Sequence, residues 1–293
     1  MGMDVLLTGG AGQIGTELLR QPWPHGVILH APDRGALDLA NPASITEVLE
    51  SRRWSAIISS GAYTAVDRAE ADVEIAWRVN ALAPAVMAYH ANRAGIPIVH
   101  VSTDYVFDGT KDGFYDEGDP VAPINVYGAS KEGGEQAIRT ARKQHAIVRT
   151  AWVVSSHREN FLKTMLRLAR ERHEVAIVAD QRGCPTFAGD VAAALMLVTV
   201  KLVEDPALSG TYHFVNAGEA SWSEFAEAVF AASADLNGPT ARVRGISTAD
   251  YPTPAIRPAN SRLATSAIQE TFGIVPRPWS IPLRETLMEL SAL

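Results

Sequence analysis

The glycines at 9, 12 and 15 constrain this chain more than any other feature. They follow a short apolar run, Met3 to Thr8, and lead into Thr16-Glu-Leu-Leu-Arg20, which reads as helix. A strand that turns into a helix this quickly uses glycine three times. The first permits the tight turn, the second lets backbone approach a pyrophosphate, and the third lets the helix lie close on the sheet. Free N–H groups and the helix dipole at such a turn stabilise diphosphate charge. The segment therefore predicts a dinucleotide site built from Gly9, Gly12, Gln13, Ile14 and Gly15.

The rest of the chain keeps the same rhythm. Strands are expected at Gly26–Ala31, Ala56–Ser60, Pro97–Ser102, Ala146–Thr150, Val175–Val178 and Tyr212–Asn216. Between them fall a helix capped by Asn41-Pro42 and a long helical stretch from Asp72 to Ala94, broken near Pro84. Further helices are expected at Tyr127–Lys143, Asn160–Arg172 and Gly189–Leu202. Strands apolar on both faces, alternating with helices, predict an α/β fold of Rossmann type: a parallel sheet with helices on both faces. After about residue 205 the pattern changes. Ser221-Trp-Ser-Glu224 opens a capped helix, residues 237–262 read mostly as loop, and a last helix starts near Leu283. The expected division is a nucleotide-binding unit over 1–150, with 174–215 as a further part. A smaller, mainly C-terminal substrate-binding unit then covers 216–293, with an excursion over 151–173.

Composition excludes several classes. Of 293 residues, 47% are apolar and 20% charged, which rules out a mainly disordered chain. No run approaches the ~18 apolar residues of a membrane span. No leader is expected before the first strand. The single cysteine, Cys184, cannot form an internal disulfide or a multi-cysteine zinc site, and a reducing cytoplasm is the expected home. A net charge of -7 argues against a general nucleic-acid binder.

The second strand ends near Asp33-Arg34. An acid there commonly binds the ribose 2′-OH of NAD, and arginine accepts a 2′-phosphate, so the chain offers a device for either coenzyme. Asp38-Leu39 is placed to pack beside the adenine, or is an ordinary turn pair. Tyr127-Gly-Ala-Ser-Lys131 puts Tyr and Lys four apart on one helix face, and Ser102-Thr103-Asp104 sits at a strand end. A phenol is a poor acid at neutral pH, and a nearby ammonium is expected to lower its pKa. The same ammonium can hold ribose hydroxyls, while Thr103 binds the substrate oxygen.

The stretches Leu7-Thr-Gly-Gly-Ala-Gly-Gln-Ile-Gly15, Ala62-Tyr-Thr-Ala-Val-Asp-Arg-Ala-Glu70 and Val101-Ser-Thr-Asp-Tyr-Val-Phe-Asp-Gly109 are joined by Asn125-Val-Tyr-Gly-Ala-Ser-Lys131. Asp180-Gln-Arg-Gly-Cys-Pro-Thr186 and Arg257-Pro-Ala-Asn-Ser-Arg-Leu263 follow. Together they resemble the extended short-chain dehydrogenase/reductase superfamily, and within it the dTDP-4-dehydrorhamnose reductase family, along nearly the whole chain. The resemblance implies reduction of the C4 keto group of dTDP-4-dehydro-L-rhamnose by NADPH or NADH. It implies a catalytic trio of Thr103, Tyr127 and Lys131. Cofactor contacts are implied at the glycine turn, Asp38, Leu39, Ala62 and Tyr63, and sugar-nucleotide contacts at Val66, Asp104, Trp152, Asn160 and Arg257. Trp152 offers a flat face for thymine, or is a core tryptophan, and Arg257 offers donors for a diphosphate, or is part of a surface ion pair.

Two positions depart from the family pattern. Ser59-Ser60-Gly61-Ala62 stands where Asn followed by alanines is usual. Some members form a magnesium-linked dimer through carboxylates. Glu17 matches one of these, but Gly189 stands in place of another, with Asp190 one position on, so no metal is expected. A monomer or homodimer acting on a nucleotide sugar is expected, with no nucleic acid or membrane partner. The alternatives are another nucleotide-sugar reductase or epimerase of this fold, a non-catalytic regulatory subunit resembling that of methionine adenosyltransferase, and a scaffold without ligand.

Overall fold

The structure is a computed structural model that describes residues 2–141 and 144–291. In chain order the first half runs β1 (Met3–Thr8), α1 (Gln13–Arg20), β2 (Val27–His30), α2 (Pro42–Glu50), β3 (Ala56–Ser59), α3 (Val66–Ala69) and α4 (Val73–Trp77). A π-helical turn over Arg78–Leu82 leads into α5 (Ala83–Ala94), then β4 (Ile98–Thr103), a 3-10 turn at Asp104–Val106, α6 (Val126–Ala141) and β5 (His145–Thr150). The second half runs β6 (Val153–Val154), α7 (Phe161–Glu171), β7 (Glu174–Val178), β8 (Arg182–Gly183), β9 (Thr186–Phe187), α8 (Ala188–Glu204) and β10 (Gly210–His213). It closes with β11 (Ala220–Ser221), α9 (Trp222–Ala234), β12 (Arg242–Ile246), α10 (Ser266–Phe272) and α11 (Ser280–Ser291).

Six strands form one parallel sheet in the order β10-β5-β4-β3-β1-β2. The period of two in each strand assigns alternate side chains to opposite layers. Val5, Leu7, Ile58, Val99 and Val148 face a core completed by Leu18 of α1 and by Val191, Leu195 and Val198 of α8. Leu6, Ile57, Ile98 and Ile147 face the other, with Ile45 of α2, Met87 of α5 and Ile138 of α6. Every residue of β3 and β4 is buried, as a doubly covered sheet requires. The chain leaves β1 toward β2 on one side and returns as β3 on the other. Such a reversal opens a crevice at the carboxyl ends of β1 and β3.

A separate apolar cluster joins Leu162 and Met165 of α7, Val175 and Ile177 of β7, Phe225, Val229 and Phe230 of α9, and Leu283 and Leu287 of α11. Strand β7 belongs here. It was expected in the nucleotide-binding unit, but it pairs in parallel with β12, inside the stretch expected as loop. Strand β12 hides its signal: Arg242 and Arg244 point outward onto Glu174, leaving little apolar alternation. Conversely, Ile268 and Phe272 of α10, with Ile274, return to the core of the large sheet against α8 and β10.

Local chemistry places the other elements. Asn41 Oδ1 accepts the Ala43 N–H at 3.1 Å, with Pro42 at the first helical position. The capping box of Ser221 and Glu224 is complete, with 3.1 Å and 2.6 Å bonds. The expected break near Pro84 is a π turn instead. Pro84 is the second residue of α5, directly after the π turn. The strand expected at Tyr212–Asn216 forms two residues earlier, as β10. Residues 142 and 143, the expected end of the Tyr127 helix, lie outside the described residues.

Candidate active site

The turn after β1 is built as the glycine spacing requires. Gly9 has φ 73°, in the left-handed region, and a Cβ there would lie 2.6 Å from Gly61 Cα. Gly12 is the N-cap of α1 and no side chain caps that end, so the first turn of the helix presents bare backbone. Gly15 packs beneath the turn against the Gly9 carbonyl and does not face the cleft. Above the turn lies a cleft of about 1080 Å³. Its wall includes Gly9, Gly12, Gln13, Ile14, Asp33, Arg34, Asp38, Leu39, Ala62, Tyr63, Val66, Thr103, Asp104, Tyr127, Lys131, Trp152 and Asn160. Of the residues expected to act in catalysis, cofactor binding or substrate binding, only Gly15 and Arg257 are not on it.

Thr103 ends β4. Its hydroxyl donates to Asp104 Oδ1 at 3.0 Å and accepts the Tyr105 N–H at 3.2 Å. Burial raises the Asp104 carboxyl to about 6, although hydrogen bonds oppose it, and Oδ2 is buried without a partner. Tyr127 and Lys131 stand on α6, whose N-terminus is held by Asn125 Oδ1, accepting the Gly128 N–H, and by Glu70, accepting the Val126 N–H. Helix α6 approaches the 3-10 turn so closely that a Cβ at Gly128 would lie 2.1 Å from the Tyr105 carbonyl oxygen. Tyr105 packs edge-on against Tyr127, with centroids 5.5 Å apart.

The Tyr127 phenol does not show the expected lowering. Burial pushes it up to about 12, the Thr103 hydroxyl opposes, and the Asp104 charge adds to the rise. The reason is where Lys131 points. Its ammonium donates to the Val101 carbonyl at 2.6 Å and to His100 Nε2 at 3.2 Å, both behind the strand end. Burial lowers Lys131 to about 8, with Glu135 resisting. Burial and the Lys131 charge hold His100 well below its usual range, so its ring is neutral. With Nε2 accepting, Nδ1–H donates to Ser59 Oγ at 3.0 Å. The unusual serine at the end of β3 thus anchors a buried Ser59–His100–Lys131 chain. Sequence gave no warning of His100, one apolar-flanked residue within a strand.

Asn80 was also missed. In the π turn its Oδ1 accepts the Tyr63 N–H, and its Nδ2 donates to the Tyr63 carbonyl and to Ser130 Oγ. It ties the expected cofactor segment to the Tyr–Lys helix. Its signal was a π-helical insertion, which hydrophobic periodicity does not show. Behind α6, Glu135 and Arg149 form a buried two-bond pair at 2.9 Å and 2.7 Å that fixes the helix to β5.

On the substrate side three expectations change. Trp152, at φ 49°, stacks on Trp222 with centroids 3.5 Å apart and planes 7° apart. The Gly183 backbone also lies against its ring, where a Cβ would fall 2.3 Å away. Its flat surface is therefore already covered, and Trp222 shares the cleft wall. Asn160 caps α7 and spends its amide on Gln13 Oε1 and the carbonyls of Ser155 and His157. Arg257 is paired with Asp67 at 2.7 Å. On the nucleotide side, Asp33 Oδ1 accepts the N–H groups of Gly35 and Ala36, and Arg34 extends into solvent.

The carboxylates in question for magnesium do not fit it. Glu17 accepts from Arg20 and lies 2.8 Å from His157, and Arg20 also bridges to Glu289. Asp190 is held by Arg277 and Asn216. The chain's own cations neutralise these acids.

A parallel sheet with a diphosphate turn after β1 and a Tyr-x-x-x-Lys helix beside the end of β4 defines an extended short-chain dehydrogenase/reductase, an NAD(P)H-dependent oxidoreductase fold. Comparison narrows the class. The family described as RmlD substrate binding domain matches residues 3–292. The dTDP-4-dehydrorhamnose reductase of Sinorhizobium fredii is 41% identical over 290 residues, covering 98% of both chains, and that of Escherichia coli is 39% identical at the same coverage. A solved dTDP-4-dehydrorhamnose reductase from Bacillus anthracis, in complex with NADP, superposes with a TM-score of 0.90 at 36% identity, covering 99% of this chain and 100% of that one. The chain belongs to the dTDP-4-dehydrorhamnose reductase family. A UDP-glucose 4-epimerase from Thermus thermophilus, at 19% identity and a TM-score of 0.82 over 99% of each chain, shares the fold.

Proposed function

We propose that the chain reduces the C4 keto group of dTDP-4-dehydro-L-rhamnose with NADPH or NADH, giving dTDP-L-rhamnose. The observation that carries this reading is the meeting of Thr103, Tyr127 and Lys131 with the glycine turn in one cleft, within a chain that matches reductases along its whole length. The glycine cradle, which a side chain would fill, fits a dinucleotide diphosphate, and the bound nicotinamide coenzyme supplies the hydride.

The chain's residues do the rest. Two of the three Lys131 N–H bonds are taken by Val101 and His100, and the third is left for a ribose hydroxyl. A Tyr127 phenol held near 12 is protonated at neutral pH, which is the state a proton donor to the new hydroxyl needs. Thr103 directs its own proton to Asp104, and turning that proton toward the cleft lets it donate to the substrate carbonyl. Asp104 holds that proton from beneath the cleft floor, its carboxyl buried at the end of β4. Intact Thr103, Tyr127 and Lys131 speak against a non-catalytic subunit. The reading carries with it a cytoplasmic enzyme, acting as a monomer or homodimer on a soluble nucleotide sugar. No described helix is long and apolar enough to cross a membrane.

The test is a panel of 4-keto nucleotide sugars assayed with both reduced coenzymes. The highest kcat/KM is expected with dTDP-4-dehydro-L-rhamnose and net coenzyme oxidation. Preference for another nucleotide sugar, or interconversion of sugars without net coenzyme use, would replace this reading.

A further inference from the structure

Arg158 was not among the residues expected at the site, yet it stands on the cleft wall in an unusual backbone conformation. Its φ is 56°, a left-handed geometry that glycine adopts freely and a long side chain rarely does. The loop that carries it is fastened to the first residue of α1. Ser155 Oγ and Asn160 Nδ2 both donate to Gln13 Oε1, at 2.8 Å and 2.9 Å, and Gln13 Nε2 reaches the Val153 carbonyl at 3.3 Å. From that loop the Arg158 Nε donates to the Ala11 carbonyl, within the glycine turn, at 2.7 Å. No acceptor among the described residues takes its terminal nitrogens.

We infer that Arg158 is a further binding residue for the coenzyme, adding a pair of donors to its diphosphate from beside the glycine turn. This rests on the reductase reading above and adds a group to its coenzyme site. Anchoring through Nε leaves the two terminal nitrogens as a planar pair of donors, the geometry that meets phosphate oxygens two at a time. The cations on the cleft wall are Arg34, Lys131 and Arg158. Arg34 stands at the end of β2, where the adenosine ribose lies in this fold, and Lys131 is buried beside the end of β4. Arg158 alone of the three is bonded to the turn that cradles the diphosphate.

The test is direct titration of NADPH, NADH, ADP and adenosine, followed by fluorescence or calorimetry, on the wild type and on R158G and R158K. R158G should weaken NADPH, NADH and ADP by a common factor of about ten, leave adenosine unchanged, and flatten the salt dependence of coenzyme binding. Its melting temperature should not fall, since glycine suits φ 56°. R158K should fall between wild type and R158G. Unchanged coenzyme affinity in R158G would overturn the inference. So would a loss confined to NADPH, which would make Arg158 a reader of the 2′-phosphate, or a rise only in KM for the sugar nucleotide. A wild type that binds both coenzymes but reduces no 4-keto sugar would sink the reductase reading and leave the Arg158 result standing.

Discussion

Burying a carboxyl at the end of β4 has an energetic signature that a single substitution can read. Asp104 is held at about 6 in the folded chain, against an ordinary carboxyl near 4. Below about pH 4 the folded and unfolded chains both carry the proton and this group is neutral to stability. Between about pH 4 and 6 the unfolded chain ionises this group while the folded chain keeps it protonated, so stability falls across that window and stays lower above it. Asp104→Asn keeps the acceptor for Thr103 and removes that cost. Its melting temperature should match wild type at pH 4 and exceed it at pH 7.5, by the equivalent of about 1–3 kcal/mol. A gap independent of pH would place the cost elsewhere. Tyr127→Phe tests the chemistry rather than the packing. The phenol proton goes but the ring stays edge-on to Tyr105, so kcat should fall at least ~100-fold with coenzyme affinity unchanged. Near-normal turnover would remove Tyr127 as the acid. Tyr127 and Lys131 were legible in the sequence, because a Tyr–Lys pair one turn apart is a local pattern. The direction of Lys131 was not. It depends on His100 and Ser59, whose meeting is a matter of strand register, and two separate apolar strands carry no mark of it.

Among the elements, α6 is where sequence and structure agree best and where the tolerance is smallest. Its start and its Tyr–Lys face were readable from one short motif. What sequence could not supply is the fit against neighbours. Gly128 admits the Tyr105 carbonyl, and the π turn brings Asn80 against Ser130. Gly128→Ala therefore forces α6 or the 3-10 turn to move. The variant should lose about 1–3 kcal/mol of stability, the usual range for overpacking, together with a drop in kcat larger than any change in coenzyme affinity. Denaturant melts and steady-state kinetics on the same preparation would check both; full activity would mean the turn yields without disturbing Tyr127. The strand β12 shows the opposite limit. Its pairing partner is far away in sequence, and its arginines are satisfied by Glu174 across the ladder, so the pattern that identifies half-buried strands is absent.

At the scale of the whole molecule, the Trp152–Trp222 stack forms part of the cleft wall and joins the β5 end to α9. Trp222→Ala removes one ring of the pair. A lost ring contact is worth on the order of 0.5–1.5 kcal/mol. KM for the sugar nucleotide should rise roughly two- to tenfold while the dissociation constant of NADPH, titrated alone, stays put; a change in both would mean the stack supports the fold as a whole. The alternating half of the chain was legible because each strand and helix there is its own signal. The return of the chain end was not, since Ile268, Phe272 and Ile274 look from sequence like any short apolar cluster. That return has a consequence in time. During synthesis the glycine turn and first strands emerge early, but the face of the large sheet beside β10 stays open until residue 274 has been made. The coenzyme-binding half cannot finish folding ahead of the rest, and a nascent chain stopped near residue 260 would display Tyr212 and Phe214 to whatever chaperone or protease surveys the ribosome exit.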